Sequence, residues 1–240
     1  LIYGRKYDYV FGYNLGALTD MIPAYIIKKI YKKKIFIWVQ DLWPDSVYAY
    51  GISKNKINAY ILDKLVNIVY KNAHSIFVSS KGFIPKIEGK VNRSIAVEYF
   101  PNWADELNME LEPAVLCNKN KIHFTFAGNL GKMQNLENII HSFSSLQQRF
   151  QNKSQLNIIG SGSNYENLKN ISKNNKNIIF HDRKERSKMA SYYKASDFLI
   201  ISLIDKPIFN YTVPAKTQTY IAAKKPILAF INGETAEIVK

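Results

Sequence analysis

The residues best placed to do chemistry gather in three stretches, and each suits the handling of an anion or a hydroxyl. The first is FAGNLGKMQNLENII, Phe126 to Ile140. A strand pattern runs into Gly128, passes a short loop with Asn129 and Gly131, and enters a helical pattern. Glycines there let the backbone approach a phosphate, and a helix start offers free N–H groups with partial positive charge. The same G-x-x-G spacing also suits an ordinary tight strand-to-helix turn. It matches neither the dinucleotide-binding nor the P-loop spacing. The second stretch is YTVPAKTQTYIAAKKPILAF, Tyr211 to Phe230. Pro214 suits a first helical turn, with Lys216 and Thr217 just inside it. A lysine at a helix start opposes the macrodipole, which favours an anionic partner for Lys216; a capped core helix with its lysine in water is the alternative. The third is Gln40-Asp41-Leu42-Trp43-Pro44-Asp45-Ser46, after the apolar run Ile35–Val39. It falls beyond the carboxyl end of a strand, where open α/β sheets bind ligands. Asp41 is placed to orient or deprotonate a substrate hydroxyl, and Asp45 or Ser46 to cap the turn that follows.

Other chemistries lack their residues. His74, His123, His141 and His181 are scattered without ligand spacing, and D-x-D, H-E-x-x-H and C-x-x-C are missing, so no bound metal is expected. Cys117 is the one cysteine, which leaves no intramolecular disulfide and suits a reducing compartment.

Alternating strands and helices must position these stretches. The β-branched and aromatic runs predict strands over Tyr7–Tyr13, Ile35–Gln40, Ser75–Ser79, Ala96–Phe100, Ile122–Ala127, Leu156–Ile159, Ile178–His181, Phe198–Ser202 and Ile227–Ile231. Helical periodicity covers Leu18–Lys33, Lys56–Ala73, Leu136–Arg149, Tyr165–Ser172, Ser187–Ala195 and Ala215–Ala223. In Lys56–Ala73 the expected apolar stripe is Ile57, Ile61, Leu65, Ile68 and Val69. Runs apolar on both faces, IFIWV and FLIIS, point to strands covered on both sides, hence an α/β fold with parallel, doubly wound sheets. The polar, acidic stretch Pro101–Lys121 breaks the pattern. Two Rossmann-like domains are therefore expected, 1–106 and 122–240, joined by a linker at 107–121 with a crevice between them. The text opens on Leu in mid-element and stops in what reads as the first turns of a helix. A partial chain, with both domains incomplete, is the expectation.

The 240 residues are 47% apolar and include 13 Phe, 16 Tyr and 3 Trp, enough for packed cores and incompatible with wholesale disorder. No apolar run reaches the ~18–20 residues of a spanning helix. Lys and Arg number 33 against 19 Asp and Glu, a net charge of +14 that favours polyanionic partners. Lysines are densest at Lys28, Lys29, Lys32, Lys33 and Lys34, after the apolar run Met21–Ile27. They suit either a solvated helix C-terminus or contact with an anionic membrane surface. No nucleic-acid-binding motif is present, and nucleic acid is not an expected partner.

In their order, several phrases resemble a GT-B glycosyltransferase of the large family-4 type, in particular the bacterial enzymes that build O-antigen, capsule or colanic-acid units. They are DLWPDS, FVSSKG (Phe77–Gly82), PNWAD (Pro101–Asp105), FAGNLGKMQNL, IIGSG (Ile158–Gly162), YYKASDFLIISL (Tyr192–Leu203), VPAKTQTYIAAKKPILAF and the closing GETAEIV. The resemblance implies a cytoplasmic, metal-independent, retaining enzyme that needs no cofactor and sits peripherally on the inner membrane. Its second domain would hold a UDP- or GDP-sugar, and its first a polyprenyl-diphosphate-linked acceptor. By the same resemblance Gly128, Asn129 and Gly131 lie at the donor diphosphate, with Pro214, Lys216 and Thr217 opposite. Ile179–Arg183 and Met189 would flank the base, and Gln40 and Asp41 fall near the reacting hydroxyl.

The sequence departs from the family pattern in several places. Asn129 and Gln134 stand where many relatives have Arg and Lys, Tyr211 and Thr219 near the usual paired glutamates, and Lys224 at a common glycine. The family's N-terminal Gly-rich loop and its final helices have no counterpart here. A basic membrane- or nucleic-acid-binding protein on the same fold, or a nucleotide-sugar epimerase, would carry much of the same pattern.

Overall fold

A computed structural model describes residues 4–104, 106–107, 110–116, 120–149 and 153–240. Cys117, Asp105 and part of the expected linker lie outside the described residues. The chain divides into two compact units: Leu1–Asn102 with Lys206–Val213, and Trp103–Asp205 with Pro214–Lys240. The segment Lys206–Val213 thus belongs with the first unit, although its place in the sequence suggests the second. Ile208, Phe209 and Val213 are buried, the Tyr211 carbonyl accepts from the Ser80 hydroxyl, and Lys206 Nζ donates to the Ala49 carbonyl at 2.8 Å.

Unit 1 holds β1 (Tyr9–Asn14), α1 (Ile22–Tyr31), β2 (Lys34–Val39), α2 (Asp45–Ala49), α3 (Lys56–Tyr70), β3 (Ser75–Val78), α4 (Ile84–Glu88) and β4 (Ala96–Tyr99). Its four strands are parallel and lie in chain order, β1-β2-β3-β4. Right-handed crossovers between strands in that order put every connecting helix on one face. That face is aliphatic, with Ile35, Ile37, Val39, Ile76 and Val78 all buried. Gly12 belongs to it, and a Cβ there would stand 2.3 Å from Met21 Sδ. The opposite face is an aromatic layer in which Tyr9 meets Phe36, Tyr13 meets Trp38, and Phe100 meets both Trp38 and Phe77. On β1 this layer faces solvent: Tyr9 is 61% and Phe11 56% exposed. The expected cover on both sides of IFIWV therefore comes from helices on one side and neighbouring rings on the other.

Two helical expectations change. Pro23 cannot continue a ladder as donor but fits a helix start, so the stretch from Leu18 splits into a 3-10 turn, Leu18–Met21, and α1 beginning at Ile22. In α3 the buried residues are Val66, Val69 and Tyr70, while Ile57 is 71% and Ile61 56% exposed. The apolar side chains of the first turns have no core beneath them, and only the last turns pack.

Unit 2 holds β5 (Ile122–Ala127), α5 (Leu136–Arg149), β6 (Ser154–Ile159), α6 (Tyr165–Ser172), β7 (Ile178–His181), α7 (Met189–Ala195), β8 (Phe198–Ser202), α8 (Lys216–Ala222), β9 (Ile227–Phe230) and α9 (Glu234–Ile238). Its parallel sheet has the order β7-β6-β5-β8-β9. The chain winds outward from β5 to β7, then returns to the other side of β5 for β8 and β9. Double winding is therefore explicit here, and its switch point lies between β5 and β8. One layer of core is Phe126, Leu130, Leu136, Ile140, Leu156, Ile158 and Leu168; the other includes Ala127, Tyr193, Leu199, Ile201 and Tyr220.

Candidate active site

In doubly wound sheets a ligand site forms beyond the carboxyl ends of the strands, where the winding reverses. In unit 2 that place is framed by the loop after β5, starting at Gly128, and by the segment leading into α8. The sheet itself opens there. β5 and β8 pair only at Phe124↔Phe198 and Thr125↔Leu199, whereas β5 stays paired with β6 through Ala127↔Ile159. The Ala127 N–H consequently has no partner on β8. The Tyr220 hydroxyl takes that place, accepting from Ala127 N at 2.9 Å and donating to Ala127 O at 3.2 Å. Tyr220 is fully buried and crosses Tyr193 edge to face at 5.5 Å. Burial raises the pKa of both phenols, that of Tyr193 to about 12, so both stay protonated at neutral pH. The first side of the opening is thus pinned to α8 by one phenol.

Lys216 is the first residue of α8, one turn before Tyr220. Its stem is half-buried, but its ammonium nitrogen has no solvent contact and no hydrogen-bond partner. Nζ lies 3.7 Å from the centroid of the Phe126 ring, and a Cβ built on Gly128 would stand 2.9 Å from it. Gly128 has φ +141°, a conformation that a side chain would strain. Gly128 and Asn129 are themselves exposed, and Gly128 is the point at which this loop comes near the enclosed amine. Burial, with no other cause, lowers the Lys216 pKa from the usual lysine range to about 7. Thr217 Oγ1 and Gln218 Oε1, in the same first turn, and Ser202 Oγ, at the end of β8, are also enclosed without partners. Such groups are rare in native interiors because each carries an unrecovered desolvation cost.

The rest of the loop is fixed by a second glycine pair that sequence reasoning placed only as part of a phrase. Gly160 (φ +142°) follows β6, and a Cβ on it would stand 1.9 Å from the Gly128 carbonyl oxygen. A Cβ on Gly162 would stand 2.6 Å from Asn129 Oδ1 and from Leu130 N. Leu130 N donates to Ser161 O at 2.9 Å, and Asn164 N to Leu130 O at 2.9 Å. The glycines of IIGSG therefore let two loops interlock and hold the Gly128 turn rigid. On the other side Ile204 N donates to Met133 O at 2.9 Å, tying the loop after β8 to the loop after β5.

The structure places the remaining candidates as follows. Gly131 has an ordinary φ of −90° and precedes the 3-10 turn Lys132–Gln134, which separates Gly128 from the start of α5. The direct entry from glycine loop to helix is therefore corrected to a loop, a 3-10 turn and then the helix. Pro214 stands two residues before α8, accepting from Thr217 N, rather than inside the first turn. Arg183 is exposed beyond β7, two strand positions or roughly 10 Å from β5. His123 and His181 are linked through the Asn157 amide, at 3.3 and 3.1 Å, a buried polar chain that spacing along the sequence does not disclose.

Gln40 and Asp41 follow β2 in unit 1. Gln40 N donates to Asn14 O at 3.0 Å, and Gln40 Oε1 accepts from Asn102 at 2.8 Å. Asn14 Oδ1, Gln40 Nε2, Ser46 Oγ and Tyr70 OH are enclosed without partners. Burial pushes the Asp41 carboxyl above the usual carboxylate range. Neither Asp45 nor Ser46 caps α2; Asp45 is its first residue, and Ser46 N donates to Leu42 O. Of the lysines, Lys28 donates to the Asn72 carbonyl and Lys29 lies over the Tyr25 ring, while Lys32 and Lys34 are exposed.

Two parallel α/β units of this kind are shared by many folds, and the solved structures that superpose on this chain place it in the GT-B class. HepE of Anabaena, solved with UDP and glucose, superposes with a TM-score of 0.72 at 11% identity, over 98% of this chain and 62% of that one. WaaG, a glycosyltransferase involved in lipopolysaccharide biosynthesis, gives 0.65 at 11% identity, over 94% and 67%. The family described as glycosyl transferases group 1 matches residues 109–240, and the chain belongs to that family. It is 27% identical over 239 residues to the probable glycosyltransferase WbjE of Pseudomonas aeruginosa, 95% of this chain and 58% of WbjE. The chain thus spans little more than half the length of that relative. Among the described residues no helix is long and apolar enough to cross a membrane.

Proposed function

We propose that the protein is a retaining, metal-independent glycosyltransferase that moves a sugar from a UDP- or GDP-sugar to a lipid-linked saccharide in bacterial surface-polysaccharide synthesis. The single observation carrying this reading is the enclosed, unpartnered Lys216 amine standing over the exposed Gly128 turn at the switch point of unit 2. A diphosphate there would meet the loop backbone and a basic amine that has no other partner. Relatives support the class of donor, since HepE was solved with UDP and with UDP-glucose. They support the pathway too, since WaaG serves lipopolysaccharide biosynthesis.

In the proposed step the bond between the anomeric carbon and the phosphate oxygen breaks, and its electron pair passes to the departing diphosphate. The acceptor hydroxyl oxygen forms the new bond to that carbon from the same face. Asp41 takes the hydroxyl proton; its raised pKa makes the carboxylate a stronger base than an exposed one. Lys216 offsets the charge that grows on the leaving group, in a setting of low dielectric where such an interaction counts for more than in water.

Calorimetric titration with UDP and GDP tests the reading. Binding of at least one is expected, weakened at least tenfold in Lys216→Ala; absence of binding by either refutes it. Peripheral attachment is tested by sedimentation with anionic vesicles, which should decline as salt rises and in a Lys32→Glu/Lys34→Glu variant. Sedimentation indifferent to salt would exclude the lysines as the contact.

A further inference from the structure

We propose that in the free protein at mildly alkaline pH Lys216 is held largely as an uncharged amine and takes up a proton when a diphosphate occupies the Gly128 turn, so that it acts as a proton-coupled grip on the leaving group. The inference rests on the donor assignment above and adds the charge state of the residue that performs it.

Its basis is geometric. Nζ is enclosed, lies over the Phe126 ring on β5 and beside Gly128, and has no hydrogen-bond partner. An ammonium in such a site would have lost its water without gaining a counter-ion, a large desolvation cost. The ring face, 3.7 Å away, offsets only a small part of that. Neutralisation is the cheaper response. The groups facing Nζ leave this unchanged. Burial is the one cause of the lowered lysine pKa, with no charged side chain acting from β5, from the loop or from α8. The nearest titratable group along α8, Tyr220, is protonated and committed to the Ala127 backbone. Thr217 and Gln218 are neutral.

A diphosphate changes this balance, because it brings the missing counter-charge and acceptor oxygens together. The free amine gains one proton from solvent and becomes an ammonium hydrogen-bonded to phosphate. The effect grows along the reaction. A diphosphate esterified to a sugar carries about two negative charges and the released nucleoside diphosphate about three, since the terminal phosphate ionises near pH 6. A group whose protonation follows that charge stabilises the departing state more than the bound donor, which is the differential binding that accelerates a reaction.

The test is titration with UDP at about pH 8 in HEPES and in Tris, buffers with different heats of ionisation. There UDP is fully ionised, so any proton taken up goes to the protein. Uptake close to one proton per UDP is expected, falling to roughly half at about pH 7, and uridine should cause none. UDP affinity should fall up to tenfold per pH unit above about pH 7. Lys216→Arg, charged at every such pH, should bind UDP without proton uptake and without that pH dependence. UDP bound with equal heats in both buffers would overturn the inference and leave the donor assignment standing. Failure of both UDP and GDP to bind would remove the donor assignment itself. Should Lys216→Arg fail to fold, as judged by circular dichroism, the wild-type buffer comparison and pH series decide alone.

Discussion

Tyr220→Phe removes one oxygen atom and tests the account of how the site is held open. The ring, its burial and its edge-to-face contact with Tyr193 survive the change, so no cavity of consequence forms. What disappears is the one hydrogen-bond partner that replaces β8 for the Ala127 backbone. The phenol both accepts from Ala127 N and donates to Ala127 O, in a place without solvent. A buried amide left unpaired costs about 1–3 kcal/mol. The carbonyl loses a longer and weaker bond and retains a second lone pair, so it adds little. For a chain of this length each kcal/mol lowers the thermal midpoint by about 2–4 °C, giving a fall of roughly 2–12 °C. Because α8 also carries Lys216, UDP binding should weaken in the same variant while Phe at 220 leaves the overall circular dichroism unchanged. Differential scanning calorimetry and nucleotide titration read the two effects. A thermal midpoint within 1 °C of wild type would mean that Ala127 N finds another partner and that the opening between β5 and β8 does not depend on Tyr220.

Three further outcomes are expected. Gly160→Ala forces a methyl group to 1.9 Å from the Gly128 carbonyl at a φ of +142°, so chemical denaturation should show a loss of about 2–5 kcal/mol and UDP binding should vanish; Gly51→Ala, also at positive φ but in open space, should cost about 1–2 kcal/mol. Asp41→Asn should abolish transfer yet stabilise the fold at neutral pH. The raised carboxyl pKa means that the native state binds the proton more tightly than the unfolded chain, so the wild type loses stability as pH rises from the unfolded carboxylate value through the folded one, and melting curves of the variant should be flat over that window. In α3, Ile57→Ser and Ile61→Ser should each change stability by less than about 0.5 kcal/mol, whereas Val66→Ala should cost about 1–3 kcal/mol; urea unfolding with the opposite ranking would restore the stripe that periodicity alone suggests.

The sheet strands were the most legible part of the sequence, because a strand buried on both faces has to be almost uninterruptedly apolar or β-branched. β5, β7 and β8 begin and end where composition puts them, as do α5 and α6. Legibility fell wherever a residue's role depends on a neighbour distant in the chain. Ile57 and Ile61 have the right spacing for a core stripe, but whether a core lies beneath them is decided by how far the sheet extends. The residues 206–213 sit between β8 and α8 in sequence, yet Ile208 and Phe209 find their burial in the other unit. Tyr220 reads as one more aromatic residue in a short helix; its value comes from a β5–β8 pairing that stops early, which no local pattern records. The glycines of IIGSG were visible, but their purpose appears only once the Gly128 carbonyl is found where a Cβ would be. For Lys216 the sequence shows the right residue but only part of the reason. Opposition to a helix dipole is a small effect within one turn, whereas the enclosure of its nitrogen is a large one.

The opening between β5 and β8 and the unpaired Lys216 have a common origin. A parallel sheet gains by extending its ladder, and β5 does so with β6 up to Ala127; with β8 it stops at Thr125. Had the ladder continued, the Ala127 amide would be satisfied by backbone, Tyr220 would be unnecessary, and no space would remain at the end of β5 for an amine. The structure instead exchanges a ladder bond for a side-chain one and leaves an amine, two hydroxyls and an amide oxygen enclosed without partners. Each of these choices costs stability, and one of them, the enclosed amine, stands beside a glycine turn whose conformation is locked from the far side by Gly160. Unit 1 carries a second such set, Asn14 Oδ1, Gln40 Nε2, Ser46 Oγ and Tyr70 OH, so what sets the Lys216 group apart is a basic amine beside an exposed glycine turn. The amine and the hydroxyls can donate to a ligand with acceptor oxygens and negative charge, whereas the Gln218 amide oxygen needs a donor. That is why nucleotide binding is the measurement on which the functional assignment turns.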